Sequence, residues 1–378
     1  MRKSKLQLSI VKSFAPLEDP RILLKTNHKL IDIIVIAICA VICGADKWTQ
    51  DEEFGYAQNE WLKKFLELPN GIPSHDTFGR VFSRINPTYF QKCFRGWIQE
   101  VFTLTGGEVI AIDGKTLRRS HDKKSNKAAL HIVHAWATEN GVLLGQVKTQ
   151  DKSNEITAIP ELLDTLLLKG CIVTIDAMGC QRKIADKIHT SGADYVLAVK
   201  DNQGKLKEAL EKTFQVARES NFANMAYDHH QTVDGNHGRV ETRNYYVLPL
   251  MYLYDFKLQR KGLKSLFLVE NEFINKATGE RTTEKRYYIS SLNPDAAKIA
   301  SATRRHWSVE NNLHWCLDVG FREDECRVRI GDAAENLSLV RKMALMLLKK
   351  ETDFKGGIQT KRLKAAWDTE YLLRVLHG

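Results

Sequence analysis

The sequence predicts an α/β protein: a small all-α N-terminal domain, then a mixed β-sheet that contains a β-rich insertion. Apolar residues at helical spacing dominate residues 21–103. From Val109 onward, short β-branched runs alternate with helical segments, and strand-like runs without helices interrupt this alternation before residue 293. The predicted divisions are 1–105 (helical domain), 106–218 (first part of the sheet core), 219–292 (insertion) and 293–378 (second part of the core with C-terminal helices).

Size and composition describe an ordinary globular protein. The 378 residues suffice for two or three domains, and 43% hydrophobic with 27% charged residues excludes collagenous, disordered and disulfide-scaffold classes. The formal charge of +10 permits a polyanionic partner such as DNA or RNA.

Cysteine usage and hydropathy predict a cytoplasmic protein without membrane contact. The seven cysteines are scattered and never spaced C-x-x-C, which is typical of reduced thiols and argues against a cysteine-rich zinc module. Lys12 interrupts the apolar residues that a signal peptide would need, and the apolar segment 30–45 is too short to span a bilayer.

Four helices are predicted in the N-terminal domain, and the third of them carries two arginines. Arg80 and Arg84 lie four residues apart, which suits contact with a DNA backbone in helix-turn-helix fashion or, more simply, a solvated basic face. The predicted helices are Leu30–Cys43, Asp51–Leu66, Ser74–Ile85 and Pro87–Phe102.

The sheet core is predicted to follow the order β-β-β-α-β-α-β, which is the order of an RNase-H-like sheet. Residues 139–141 form the hairpin turn between the second and third strands. The strands are Val109–Asp113, Ala128–Ala137, Gly141–Lys148, Cys171–Asp176 and Tyr195–Val199, and the helices are Glu155–Leu168, Gln181–Thr190 and Gln203–Arg218.

Strand-like runs are predicted in the insertion, and helices return after it. The runs are Val240–Leu248, Ser265–Ile274 and Lys285–Ser291; helical segments then run from Asp295 through Leu317, over Ala333–Lys350 and over Leu363–Leu376.

The stretch 109–120 places a carboxylate at the rim of the core. An apolar strand ends at Asp113, and the following Gly114 signals a turn. Lys115, Arg118 and Arg119 then form a cationic loop suited to phosphate groups beside a metal-binding acid.

Other interpretations of this stretch are a P-loop, a phosphoaspartate-forming hydrolase and a plain Asp-Gly turn. A P-loop would need glycine at position 109, which is Val109. The hydrolase would need its first carboxylate at position 111, which is Ala111. The plain turn at the end of a core strand stays open.

Asp176 repeats the arrangement of Asp113. It ends an apolar strand and is followed by small residues that allow a ligand to approach the backbone. Because the first and fourth strands of a β-β-β-α-β unit lie side by side, both carboxylates are expected at the same end of the sheet. Hard divalent cations prefer such oxygen ligands.

A third candidate group lies in the predicted helix 304–318. His306, Glu310 and His314 stand at i, i+4 and i+8, hence on one helical face. A surface helix with Trp307 and Trp315 in the core explains the same pattern. A zinc site built from His306, Glu310 and His314 is a further alternative, although the H-E-x-x-H order is absent.

Over nearly its full length, the chain resembles the DDE transposases of bacterial insertion sequences, and more narrowly the H-repeat-associated group. Ile-Asp-Gly-Lys-Thr at Asp113, Asp-Ala-Met-Gly-Cys-Gln at Asp176 and Arg-His-Trp-Ser-Val-Glu-Asn-Asn-Leu-His-Trp at Glu310 carry the resemblance. It implies an RNase-H-like fold whose three acids bind Mg²⁺ (or Mn²⁺), with DNA ends and target DNA as partners and a homo-oligomer when bound to DNA.

One feature of related transposases differs here. They carry a tyrosine, an arginine and a lysine around the glutamate, whereas this segment has no lysine. Arg305, His306 or Lys200 are the candidates to supply the phosphate-contacting charge. A structure-specific nuclease and an inactive, DNA-binding descendant of a transposase remain alternative functions.

Overall fold

A computed structural model describes residues 8–22, 24, 26–102, 107–121, 128–149, 155–235, 238–253 and 260–377. The predicted boundary between residues 105 and 106 lies outside these ranges. Within them, no helix combines the length and apolar character needed to cross a membrane.

Six α-helices form the described part of the N-terminal region, residues 8–102 without 23 and 25. The predicted helix Asp51–Leu66 is wrong in its continuity, because the chain breaks at Gln58 into two helices. Helix α2 is buried over nearly its whole surface, as its apolar composition predicts. The helices are α1 (Ser9–Phe14), α2 (Leu30–Ile42), α3 (Trp48–Ala57), α4 (Asn59–Leu62), α5 (His75–Phe82) and α6 (Pro87–Val101).

In the part of the chain that the structure describes, nine strands form one mixed sheet in the order β3-β2-β1-β4-β5-β9-β8-β7-β6. Strands β1, β4 and β5 are parallel, and β2 and β3 are antiparallel to their neighbours. The strands are β1 (Val109–Leu117), β2 (Leu130–Ala137), β3 (Val142–Thr149), β4 (Ile172–Ile175), β5 (Asp194–Val199), β6 (Asp228–Asp234), β7 (Arg239–Pro249), β8 (Ser265–Asn275) and β9 (Arg281–Ser290).

The strands after residue 219 extend the same sheet, since β9 pairs antiparallel with β5. Strand β6 was missed by the sequence prediction. Its residues are mostly polar and largely exposed, so it shows no apolar alternation, as is common at a sheet edge.

Strand β1 does not end at Asp113, so the predicted Asp-Gly turn is wrong. The strand continues to Leu117 because β2 pairs with it without interruption, from Ile110 opposite Ala137 to Leu117 opposite Leu130. Gly114 instead allows a close approach: a Cβ atom there would lie 2.4 Å from an Oε1 of Glu155.

Among the described residues from 155 to 377, seven further α-helices pack on the sheet or follow it. The predicted segment Leu363–Leu376 is two helices that meet at Asp368, which caps the second. The helices are α7 (Glu155–Asp164), α8 (Arg182–Thr190), α9 (Gly204–Glu219), α10 (Ala296–His306), α11 (Ala333–Lys350), α12 (Ile358–Trp367) and α13 (Thr369–His377).

The helical segment around Glu310 departs from the predicted regular α-helix. Helix α10 ends at His306, and two π-helical turns follow at Glu310–His314 and Cys316–Gly320. Trp307 and Trp315 are 48% and 59% exposed, so the expectation that they belong to the core is wrong.

The N-terminal helices and the sheet share one hydrophobic core, with α11 at its centre. All residues of α11 up to Leu348 are buried. The side-chain amide of Asn336 donates to the backbone carbonyls of Phe82 and Ile85, both at 2.9 Å, and so joins α11 to α5 and its C-terminal turn. The N-terminal region is therefore fixed against the element that supports the sheet.

Candidate metal centre

Three acids from distant parts of the chain line one cavity. Strands β1 and β4 are parallel neighbours, with Ile112 opposite Ile175, so Asp113 and Asp176 follow at the same end of the sheet. Glu310 reaches this cavity from the π-helical turn. The cavity has a volume of about 430 Å³, and Lys200 and His306 also line it.

The two aspartates are held by backbone amides. Asp113 accepts from the N–H of Gly114 at 2.9 Å, and Asp176 accepts from the N–H of Met178 at 3.0 Å. Burial raises the pKa of Asp113 to about 6, and the negative charge of Asp176 adds to this effect. Burial also raises the pKa of Asp176, while Lys200 opposes the rise. The site therefore concentrates negative charge that a cation would stabilise.

Asp113, Glu310 and His314 offer ligand atoms within 4.8 Å of one another, and Asp176 is not part of this set. The Nδ1 atom of His314 lies 3.1 Å from Glu310 and 3.6 Å from Asp113. The hydrogen bond with His314 lowers the pKa of Glu310. Carboxylate oxygens and an imidazole nitrogen at this spacing fit a divalent metal ion.

A fourth carboxylate, Glu155, was missed by the sequence analysis. Its side chain is 6% exposed, and its Oε1 atom lies 2.7 Å from Nε2 of His131. Its charge contributes to the raised pKa of both Asp113 and Asp176. The signal that was available is the pair of histidines, His131 and His134, in an otherwise apolar strand.

His306 lines the same cavity as Glu310 but is not one of the three residues, Asp113, Glu310 and His314, whose ligand atoms lie close together. Its Nδ1 atom lies 3.0 Å from the hydroxyl of Thr174, because α10 ends at His306 and a π-helical turn begins at Glu310. The alternative zinc site made of His306, Glu310 and His314 is therefore not formed. Burial lowers the pKa of His306 to about 4, so the ring carries no charge at neutral pH.

The predicted cationic loop is partly neutralised inside the protein. Lys115 lies in β1 with 7% of its side chain exposed, 2.5 Å from Asp318 and 3.6 Å from Asp324. Arg118 is 82% exposed but also contacts Asp324, at 3.1 Å. Arg119 is exposed. Lys115 therefore forms ion pairs inside the protein, and its charge also lowers the pKa of Glu310.

The remaining predicted DNA-binding residues lie in three places. Lys200 is exposed and lines the acid cavity. Arg305 forms an ion pair with Glu139. Arg80 and Arg84 are exposed at the end of α5 and line a separate cleft that also contains Arg21.

Two family models match the sequence. The model described as "Transposase DDE domain" covers residues 104–347, and the one described as "DDE_Tnp_1-associated" covers residues 11–98. Together they span the acids and the N-terminal helices.

The similar proteins also include transposases by name. The chain is 50% identical over 355 residues to "Putative transposase YncI" of Escherichia coli O157:H7, covering 93% of this chain and 90% of that protein. It is 45% identical over 357 residues to "H repeat-associated putative transposase YhhI" of Escherichia coli K12, covering 94% of each. Among solved structures, a piggyBac transposase synaptic complex with hairpin DNA is 10% identical, with a TM-score of 0.42, over 98% of this chain and 78% of that one.

Proposed function

Because this chain belongs to the transposase DDE domain family and is similar to its H-repeat-associated members, we propose that it cuts DNA at element ends and joins the freed 3′ ends to target DNA. The observation that carries the proposal is the convergence of Asp113, Asp176 and Glu310 on one cavity. The joining step needs no covalent enzyme intermediate, since a DNA 3′ hydroxyl is itself the nucleophile.

In this proposal, Asp113, Asp176 and Glu310 hold Mg²⁺ or Mn²⁺. Such ions, when bound, lower the pKa of the attacking hydroxyl and stabilise charge on the phosphate and the leaving oxygen. Asp113 and Asp176 are fixed by backbone amides and define the position of the site. Glu310, whose side chain is 58% exposed, is free to adjust when DNA enters.

Positive charge at the cavity supports the approach of a phosphate group. Lys200 and Arg286 both line the cavity, and Lys200 acts on Asp176 electrostatically. We assign to Lys200 part of the role that the missing lysine plays in related transposases. Exposed Arg80 and Arg84 are proposed to contact the DNA backbone outside the active site.

We further infer an RNase-H-like core and a β-rich insertion over residues 219–292. The order β3-β2-β1-β4-β5, with β1, β4 and β5 parallel, supports the first inference. We also propose that the protein acts in the cytoplasm as a homo-oligomer on DNA, because two element ends must be joined.

The test uses purified protein, its own flanking DNA ends and Mg²⁺. Asp113→Asn, Asp176→Asn and Glu310→Gln should each abolish cleavage and leave DNA binding largely intact. Asp164→Asn is the matched control, since within the described residues this exposed acid pairs only with Lys187 at the surface, and the substitution should leave cleavage unchanged. Retained nicking in any of the three site variants would reject the assignment.

The same reaction separates transposition from its alternatives. Labelled ends that become covalently joined to target DNA indicate strand transfer, whereas cut but unjoined ends indicate a nuclease. DNA binding without metal-dependent cutting would indicate an inactive, DNA-binding descendant.

A further inference from the structure

We propose that His314 is a nitrogen ligand of the ion held between Asp113 and Glu310, so that this position favours a transition-metal dication such as Mn²⁺ over Mg²⁺. The inference rests on the proposed function insofar as that function places a divalent ion at these acids. It goes further, because it adds an imidazole to the three carboxylates and thereby changes which ion the site prefers.

The spacing of the three side chains matches that of ligands around one ion. Two ligand atoms bound at about 2.1 Å lie about 3.0 Å apart at a right angle and about 3.4 Å apart at a tetrahedral angle. The Nδ1 atom of His314 lies 3.1 Å from Glu310 Oε2 and 3.6 Å from Asp113 Oδ2. The ligand atoms of Asp113 and Glu310 lie within 4.8 Å of each other, so one ion can be bound by all three after the two carboxylates move closer to it.

The second ring nitrogen of His314 has the kind of partner that a metal-binding histidine needs. Its Nε2 atom lies 3.3 Å from Nδ1 of His134, which is fully buried in β2 directly opposite Asp113. When His314 donates from Nε2 to this acceptor, the lone pair of its Nδ1 is directed between the two carboxylates. Such an outer partner fixes the tautomer and orientation of a ligating histidine.

His134 supports His314 from behind and does not itself face the acids. Its Nδ1 atom is the one near His314, whereas its Nε2 atom, on the other side of the ring, is buried without a hydrogen-bond partner in the part of the chain that the structure describes. A buried polar group without a partner costs about 1–3 kcal/mol, so a histidine at this position is unfavourable for folding alone. Within these residues, the only side-chain hydrogen bond of His134 is the one to His314.

The backbone around His314 is also unusual. Glu310 and His314 begin and end a π-helical turn, and such turns occur often at functional sites. His306, one turn earlier, contacts Thr174 and takes no part in the set of three. Position along the helix alone therefore does not make a histidine a ligand, and His306 provides a control.

The nitrogen changes the ion preference for a chemical reason. Mg²⁺ is bound through oxygen ligands and water, whereas first-row transition-metal ions accept imidazole readily. Replacing His314 should therefore weaken Mn²⁺ binding much more than Mg²⁺ binding.

The experiment first removes all metal from the 378-residue protein and then adds Mn²⁺. Bound Mn²⁺ is measured by electron paramagnetic resonance. Electron spin echo modulation should show a directly coordinated ¹⁴N nucleus in the wild type, and ¹⁵N-labelled histidine should replace that signal with a ¹⁵N coupling. The coupling should be lost in His314→Gln and retained in His306→Gln. His314→Gln should lower the Mn²⁺ affinity about 10-fold or more and the Mg²⁺ affinity about threefold or less.

The outcomes separate this inference from the proposed function. One outcome is that Mn²⁺ binds tightly to the wild type and not to Asp113→Asn, yet shows no histidine nitrogen coupling. That outcome would overturn the role of His314 and would still support metal binding by the acids. Absence of Mn²⁺ and Mg²⁺ binding altogether would overturn both. Because the labelled wild type reports histidine coordination directly, the absence of a ¹⁵N coupling overturns the inference even if His314→Gln fails to fold, and a coupling retained in His306→Gln excludes that residue.

Discussion

Substitution of Gly114 by alanine tests the packing behind the acidic site. Gly114 lies within β1 and is not in the left-handed region, so alanine fits the backbone. Its added Cβ would lie 2.4 Å from Oε1 of Glu155 and 2.5 Å from Nε2 of His131. These two atoms are joined to each other by a buried contact at 2.7 Å, and the methyl group must separate or displace them.

The expected cost has two parts. Overpacking a buried position costs about 1–3 kcal/mol. Loss of the partner of a buried polar group costs about another 1–3 kcal/mol, which gives a total of about 2–6 kcal/mol. At about 2.1 cal/mol/K per residue, the 378 residues have an unfolding entropy of about 0.8 kcal/mol/K, so Tm should fall by about 3–8 °C.

The assay is thermal and urea unfolding in EDTA, followed by circular dichroism. Gly96→Ala is the matched control, because this glycine in α6 has no atom within 4 Å of its added Cβ. That substitution should be neutral or stabilise by up to about 1 kcal/mol.

A double mutant identifies the cause. In a Glu155→Ala background, the methyl group at position 114 no longer contacts a carboxylate. The loss of unfolding free energy caused by Gly114→Ala should therefore be clearly smaller than in the wild type. An unchanged cost in that background, or wild-type stability of Gly114→Ala alone, would refute the steric argument.

Three further predictions concern charge. Because the pKa of Asp113 is about 6 in the folded protein and 3.8 ordinarily, this carboxyl should contribute a loss of about 2–3 kcal/mol to the stability of the metal-free wild type as pH rises from about 4 to 7. Asp113→Asn should remove that loss in urea unfolding with EDTA; an unaltered pH dependence would contradict it. Lys115→Met should destabilise the protein by about 2–4 kcal/mol, since it leaves Asp318 unpaired; unchanged stability with weaker DNA binding would instead indicate a phosphate contact. Arg80→Ala with Arg84→Ala should leave stability unchanged and reduce the slope of log K against log salt by about 2, measured by fluorescence anisotropy; an unchanged slope would exclude both contacts.

The strand pattern around the acids was predictable because it is local. Apolar, β-branched runs that end in aspartate identified the edges that carry Asp113 and Asp176, and both strands are present as parallel neighbours. The resemblance to H-repeat-associated transposases is confirmed by the family models and relatives. The end of β1 was mispredicted, since pairing with β2 outweighs the turn preference of an Asp-Gly pair.

The contacts of the charged side chains were not predictable from local sequence patterns. Lys115 was assigned to phosphate because its neighbours in sequence are basic, but its partner Asp318 lies 203 residues away. His306 and His314 have similar positions in the sequence pattern and His306 lines the acid cavity, yet among the described residues only His314 has a ligand atom within 4.8 Å of those of Asp113 and Glu310. No local rule distinguishes them, because the choice depends on where the helical geometry changes.

The sequence by itself determined the family, the parallel strands that carry two of the acids, and the acidic character of the site, since these follow from short patterns of residues. Only the tertiary structure decided that Glu310, 134 residues beyond Asp176, meets the aspartates in one cavity, and that His314, backed by His134, comes with it. The physical reason is that these contacts depend on strand pairing, helix packing and a π-helical turn, each of which involves distant parts of the chain.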